Sequence, residues 1–385
     1  MFCFMKKIVY LCTLVLLSLN VMAQIDLNDR NWECVLNDDF SETNRQFNSA
    51  FQESLGKWIA YSKCLQSGVT KPYLYNIYQW RNNTFNPSDG TLLLNGFHTG
   101  LLHCGAPMYY EIPPEKTCQT SHGPLYYNTG MIESPTIAYR YGYYEIRCKL
   151  PVHRGAFPAF WLWDAKCDTE DTYYEEIDIF EYNWDISQQE DLTFLSQPNP
   201  YVFATGIYYD DMNCIRPIEG IARNHPRLPD NGPDLSGWHT FSCEWMPDHV
   251  IWYCDGNVVN ECYDIPNIPR RNLTLIANYA IDWNCSIGND NMWMGSDNMV
   301  IDYINVYQLK WDCDTDEAIT RQSDLDNFDF SVKKSINITA SHEEVVVNDT
   351  DKTTFRATDS VIISGPFHTE NGCEFTVLTQ ICPCE

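Results

Sequence analysis

The stretch Tyr173–Asp185, YYEEIDIFEYNWD, decides how this chain is read. Residues 173–180 are rich in aromatic and β-branched side chains, which predicts a strand. Strand side chains alternate between faces, so Glu176 and Asp178 share one face. Glu181 lies five residues beyond Glu176. That odd offset points it the other way, and one extra residue, a β-bulge, returns it to the face of the other two. Three carboxylates on one concave surface suit cleavage of a glycosidic bond. One attacks or acts as base while another donates a proton, and in retaining enzymes the two carboxyl groups stand roughly 5–5.5 Å apart. An aspartate between two glutamates raises the proton affinity of its neighbour. The competing reading is a solvated acidic strand edge. Ile177, Ile179 and Phe180 weigh against it, because they make the segment half-buried, where carboxylates need a reason.

Working outward, five further blocks stand in a recognisable order. They are WECVLNDDF (Trp32–Phe40), YGYYEIRCKLP (Tyr141–Pro151), FPAFWLW (Phe157–Trp163), GWHTFSCEWMPDHVIWYCDGNVV (Gly237–Val259) and MVIDYINVYQ (Met299–Gln308). Together with EEIDIFE they resemble glycoside hydrolase family 16, in the form whose signature carries the bulge, over roughly residues 31–309. The resemblance implies an all-β, concanavalin A-like jelly-roll β-sandwich with a glycan cleft across its concave sheet. It implies a secreted, endo-acting, retaining hydrolase that needs no cofactor for catalysis. Glu176 would be the nucleophile and Glu181 the acid and base. Asp178 would hydrogen-bond the nucleophile and set the proton affinities of the trio. Asp302, in VIDYINVY, matches an aspartate that helps bind calcium on the convex side, so a structural calcium is expected there.

Trp161 and Trp163 share a face at strand spacing. They read either as platforms on which sugar C–H faces stack or as core. His239, in GWHTF, reads as a substrate contact or as a satisfied structural histidine. The chain departs from the family pattern twice. Where many β-1,3-glucanases carry W-P-x-x-G it has Asp171–Glu175, with Tyr173 in position to stack under the sugar. Where many members carry a histidine, in Ala204–Tyr209, it offers Tyr208. The substrate therefore stays open. A β-1,3- or mixed-linkage glucan is favoured, an agar- or carrageenan-type galactan or transglycosylation is the alternative, and a non-catalytic glycan-binding protein is the rival outside enzymes.

Residues 1–23 carry Lys6 and Lys7, an apolar run Ile8–Leu19 and Val21-Met22-Ala23, which reads as a signal peptide cut after Ala23. The protein is thus expected in the periplasm, on the cell surface or outside the cell, with no membrane span and a polysaccharide as partner, acting as a monomer. Loss of Lys6 and Lys7 takes the formal charge from −27 to −29, which argues against nucleic acid and, unless a local basic cleft overrides it, against highly sulfated polysaccharides. Of 17 cysteines, 15 remain once Cys3 and Cys12 leave, and in an exported chain many should pair. Cys243 and Cys254 flank the turn at Pro247-Asp248 and predict a cross-strand disulfide. The stretch Gly96–Thr129, with Pro107, Pro113, Pro114 and Pro124, reads as a cleft wall or a surface loop.

After Leu309 the sequence changes character. Residues 310–330 are rich in Asp, Thr and Ser and read as a linker. Residues 331–385 hold short alternating runs (SINITA, EEVVVN, TTFRATDSVIISG, CEFTVLT) separated by turn residues. They predict a second, smaller all-β domain of stacked strands, stapled by Cys373, Cys382 and Cys384.

Overall fold

The computed structural model describes residues 30–49, 52–60, 76–78, 83–98, 119–120, 123–124, 127–134, 139–153, 155–164, 173–182, 199–211, 219–281, 295–340, 343–348, 353–370, 373 and 375–383. Residues 1–23, read above as a signal peptide, and most of Gly96–Thr129 lie outside these residues.

The chain is built almost entirely from strands. The first ten are β1 (Trp32–Asp38), β2 (Phe47–Ser49), β3 (Gln52–Glu53), β4 (Asn76–Tyr78), β5 (Asn83–Asn86), β6 (Thr91–His98), β7 (Gln119–Thr120), β8 (Gly123–Pro124), β9 (Tyr127–Thr129) and β10 (Met131–Glu133). The next ten are β11 (Gly142–Lys149), β12 (Ala156–Trp163), β13 (Tyr173–Glu181), β14 (Ala204–Asp211), β15 (Glu219–Asn224), β16 (His239–Trp245), β17 (Val250–Cys254), β18 (Asn257–Cys262), β19 (Thr274–Ile281) and β20 (Ser296–Leu309). The last six are β21 (Trp311–Ile319), β22 (Val332–Ile338), β23 (Val345–Val347), β24 (Thr353–Ile363), β25 (Phe367–Thr369) and β26 (Phe375–Thr379).

Two sheets face each other as a sandwich. The large sheet runs β18-β17-β16-β11-β20-β6-β9-β4, with β1 added to β20 and β5 to β6. The smaller runs β10-β19-β12-β13-β14-β15. The blocks read from the sequence fall where expected: β1 pairs with the closing strand β20, and β16 with β17 forms the hairpin. Alternation along β11 works as the sequence demands. Tyr144, Ile146, Cys148 and Leu150 enter the core between the sheets, beside Trp245, Trp252, Phe180 and Leu275.

One polar knot is buried at the end of β1. The Asp38 carboxylate receives two hydrogen bonds from Arg45 and one from Trp58 Nε1, while Arg45 also donates to Glu53. A buried charge is tolerable only when paired and fully hydrogen-bonded, as here.

The predicted Cys243–Cys254 disulfide is absent. Cys243 lies opposite Trp252 and Cys254 opposite Phe241, so the hairpin register separates the two by a diagonal step. Both are free, buried thiols in the core. Cys382 is bridged, but to Cys313 in β21.

That bridge belongs to a second correction. Residues 311–319 are no linker: β21 follows β20 after Lys310 alone and pairs in parallel with β22. Strands β21-β22-β24-β26 make a parallel sheet in chain order, and β23-β25 make a second. Successive strands of the first begin at Trp311, Val332, Thr353 and Phe375, a regular rung length that stacks one turn of chain upon the last. Its core holds Ile319, Phe328, Phe330, Ile336, Ile338 and Phe355. The stack is not free of the sandwich. Val332 is buried with Trp32, Tyr143, Met246, Ile251 and Leu309 on the outer face of the large sheet. Asn31 Nδ2 donates to Phe330 O, and Val332 N to Lys310 O.

Candidate active site

The smaller sheet carries the site on its outer face, the side turned away from the core. Strand β13 lies between β12 and β14. Across it Trp163 faces Glu176, Trp161 faces Asp178 and Ala159 faces Glu181. On the other side Tyr208, Gly206 and Ala204 stand opposite the same three carboxylates. Both ladders slip between Asp178 and Glu181. The side chains show why: Ile177, Ile179 and Phe180 all enter the core, with the Phe180 ring centroid 4.4 Å from that of Phe241. Two consecutive core residues, Ile179 and Phe180, can only follow from an inserted residue, and the bulge brings Glu181 onto the face of Glu176 and Asp178.

The trio is shielded from water. Glu176 and Asp178 are 7% and 3% exposed, and Glu181 is half-buried. Their strand is pinned from the opposite sheet, where Trp252 Nε1 donates to the Asp178 backbone carbonyl at 2.8 Å. It is pinned again by Glu175, on the other face, whose carboxylate accepts the backbone N–H groups of Arg270 and Arg271 at 2.8 Å each. Alternation along the strand puts Glu175 and Glu176 on opposite faces, and the structure gives Glu175 its separate task.

Trp161 and Trp163 share the face of the carboxylates. Their rings stack on each other at 5.6 Å, and Trp161 Nε1 donates to Asn278 Oδ1 at 2.7 Å. Met131, Ala159, Ile276 and Ala280 pack around them. Asn278 was not singled out from sequence, although a lone amide in the apolar run TLIANYAI is a readable signal. Tyr208 lies beside the trio. Burial first, then the charges of Asp178 and Glu181, push its hydroxyl far above the ordinary phenol range, against the pull of Arg223, so it stays a neutral donor. Gly206 makes room for it: a Cβ there would meet the Tyr208 ring at 3.1 Å and Arg223 Cα at 3.4 Å. Tyr173 pairs with Asp211 at the start of β13, and its side chain lies outside the described residues.

His239 does not join this site. It lies in the large sheet opposite Cys148, is buried, and uses both ring nitrogens: Nδ1 with Asp255 at 2.7 Å and Nε2 with the Asp234 carbonyl at 2.9 Å. It is a structural histidine. Asp302, the expected calcium ligand, lies on β20 in the large sheet. It is ion-paired to Arg147, and it belongs to neither group of three ligand-bearing side chains that converge among the described residues (His239, Cys254 and Asp255; Asp38, Asp39 and Glu42). A calcium ion needs several oxygen ligands.

The fold and the site together define a class: a two-sheet β-sandwich whose outer sheet face aligns two glutamates and an aspartate through a bulge, beside paired tryptophans. The sequence profile of Glycosyl hydrolases family 16 matches residues 110–305, and the chain belongs to that family. It is 26% identical over 201 residues to the endo-1,3-1,4-beta-glycanase ExsH of Rhizobium meliloti (strain 1021), covering 52% of this chain and 37% of that protein. It is 26% identical over 225 residues to the kappa-carrageenase of Pseudoalteromonas carrageenovora, covering 55% of this chain and 52% of that protein. The chain thus spans between about a third and a half of these relatives. Among solved structures it superposes on the catalytic domain of an endo-1,3-beta-glucanase (laminarinase) from Thermotoga petrophila RKU-1 with a TM-score of 0.50 at 20% identity, over 72% of this chain and 98% of that one. On porphyranase B from Zobellia galactanivorans the TM-score is 0.52 at 16% identity, over 72% and 93%. These likenesses show the jelly-roll sandwich fold. Among the described residues no helix is long and apolar enough to cross a membrane.

Proposed function

We propose that the protein is an exported endo-acting glycoside hydrolase that cleaves a β-linked polysaccharide, a β-1,3- or mixed-linkage glucan first, with retention of configuration. The observation that carries this is the bulge at Ile179, which sets Glu176, Asp178 and Glu181 on one buried face beside Trp161 and Trp163. Glu176 attacks the anomeric carbon and forms a glycosyl-enzyme. Glu181 protonates the departing oxygen, then takes the proton of the incoming water as that water displaces Glu176. Asp178, between them, holds the pair in opposite protonation states. Trp161, Trp163 and the neutral Tyr208 hydroxyl position the sugar; Tyr173 stands at the same end of the strand as Glu176. The residues of the chain supply the acid, base and nucleophile, so the chemistry asks for no cofactor. Support for a β-glucan comes from the 1,3-1,4-glycanase relative, and the carrageenase keeps galactans as the second reading.

The test is reducing-end release by the purified mature protein from laminarin, mixed-linkage β-glucan, agarose, porphyran and κ-carrageenan. Release from at least one polymer is expected, and Glu176→Ala should abolish it while the far-UV spectrum stays unchanged. Near-normal activity of that variant would overturn the assignment.

A further inference from the structure

The inference concerns Arg223 and rests on the cleft reading above. Every other described arginine is engaged. Arg45, Arg147, Arg227, Arg271 and Arg321 hold carboxylates. Arg30 and Arg140 lie over aromatic rings, while Arg270 and Arg356 donate to oxygen acceptors. Arg223 is exposed and has no ion-pair or hydrogen-bond partner among the described residues. In a chain with 52 acidic and 25 basic residues, an arginine left open on the strand beside Gly206 and Tyr208 is unexpected. Its charge is felt by the neighbouring Tyr208 hydroxyl, where it opposes the upward push of burial and of the nearby carboxylates.

The backbone presents this side chain deliberately. The ladder between β14 and β15 slips between Thr205 and Ile207, and Ala222 takes φ +52°, the left-handed region that an alanine adopts only under strain. Asn260 fixes that strained turn by donating to the Ala222 carbonyl at 2.5 Å and to Thr205 Oγ1 at 3.0 Å. Ala222 packs against the core, and Asn224 donates to Val259 O. Arg223, between them, is therefore turned to the cleft face, over Gly206 and beside Tyr208. A bulge beside a site re-aims a side chain, and a guanidinium fork matches an oxyanion with two parallel N–H···O bonds.

We propose that Arg223 is a specificity-determining residue that pairs with an anionic substituent, a sulfate ester or a carboxylate, on the sugar bound beside Tyr208. The polymer backbone can be any β-linked chain the cleft accepts; the charge it carries is what Arg223 reads. The test uses matched polymers: κ-carrageenan and porphyran with their desulfated forms, for sulfate, and laminarin with carboxymethyl-laminarin, for carboxylate. Wild type, Arg223→Gln and Arg223→Lys are compared for kcat and KM on each. The expected result is a wild-type preference for one charged member. In Arg223→Gln, kcat/KM on it should fall roughly 10- to 100-fold, mostly through KM, the loss typical of one charge-assisted contact. The neutral member should change by no more than about threefold, and lysine should restore part of the loss. Equal losses on charged and neutral members, or no preference in wild type, would overturn the proposal. Binding of the same polymers to Glu176→Gln separates the two readings. Arginine-dependent retention of a charged polymer without any turnover by wild type would keep this proposal and sink the hydrolase. Turnover with arginine-independent binding would do the reverse.

Discussion

Removing Ile179 tests the geometric claim on which the site rests. If the bulge serves only to correct parity, deleting the inserted residue should leave Glu181 on the carboxylate face. Without it Asp178 is followed by Phe180 and Glu181, and regular alternation sends Phe180 inward and Glu181 outward. The cost falls on stability. Ile179 is fully buried among core residues, and losing its side chain from a packed core costs about 3 kcal/mol. In a domain of this size that is a fall of roughly 6–12 °C in melting temperature. Inserting a glycine after Ile179 gives the opposite pattern. Parity flips, Glu181 turns toward Phe241 and Phe160, and activity should drop at least about 100-fold, as for Glu181→Ala. The assay is reducing-end release on the best polymer of the panel, with melting followed by circular dichroism. The deletion is expected to keep activity within about tenfold. A folded deletion variant as inactive as Glu181→Ala would refute the parity argument and show that the bulge sets a distance rather than a face.

Four more outcomes follow from packing and charge. Ending the chain at Lys310 uncovers Trp32, Tyr143 and Leu309, so the truncated sandwich should melt roughly 10 °C lower, by differential scanning calorimetry. Arg45→Ala leaves buried Glu53 without a cation and Asp38 with Lys57 alone, at 3.5 Å, and should cost about 3–5 kcal/mol in a denaturant titration. Burial alone would lower the His249 imidazole, but hydrogen bonds with Asp248 and Glu244 outweigh it and hold it up at about 9. Its stabilisation is therefore complete below the unfolded pKa near ~6.5 and lost as pH rises through about 9, so wild type should lose more stability than His249→Gln over that window. Non-reducing peptide mapping should find Cys313 joined to Cys382, with Cys243 and Cys254 labelled as thiols only after unfolding.

Much of this was legible in the sequence because each signal was local. The carboxylate parity of β13 and the need for a bulge follow from offsets within nine residues, and the apolar residues around them mark the buried strand. What failed was not local. Cys243 and Cys254 look equidistant from their turn, yet one two-residue slip of register, set by the turn itself, separates them. The stretch after Leu309 looks like a linker because β21 is an outer strand of the stack, with Asp312 and Glu317 turned to Lys333 rather than to a core. Its polarity reflects its edge position. His239 sits in a family-like motif, but only the fold shows that Asp255 and Asp234 use both its nitrogens. Arg223 could not be found without knowing that every other described arginine is occupied.

The continuity of β20 and β21 fixes a direction. With only Lys310 between a long strand of the sandwich and the first rung of the stack, and with Val332 seated against the large sheet, the terminal unit cannot swing on a tether. It sits behind the sandwich, and the carboxylates open in front. A stack seated on the back of the large sheet leaves the carboxylate face of the smaller sheet open to its full length, so the two halves of the chain present two separate surfaces to anything they meet.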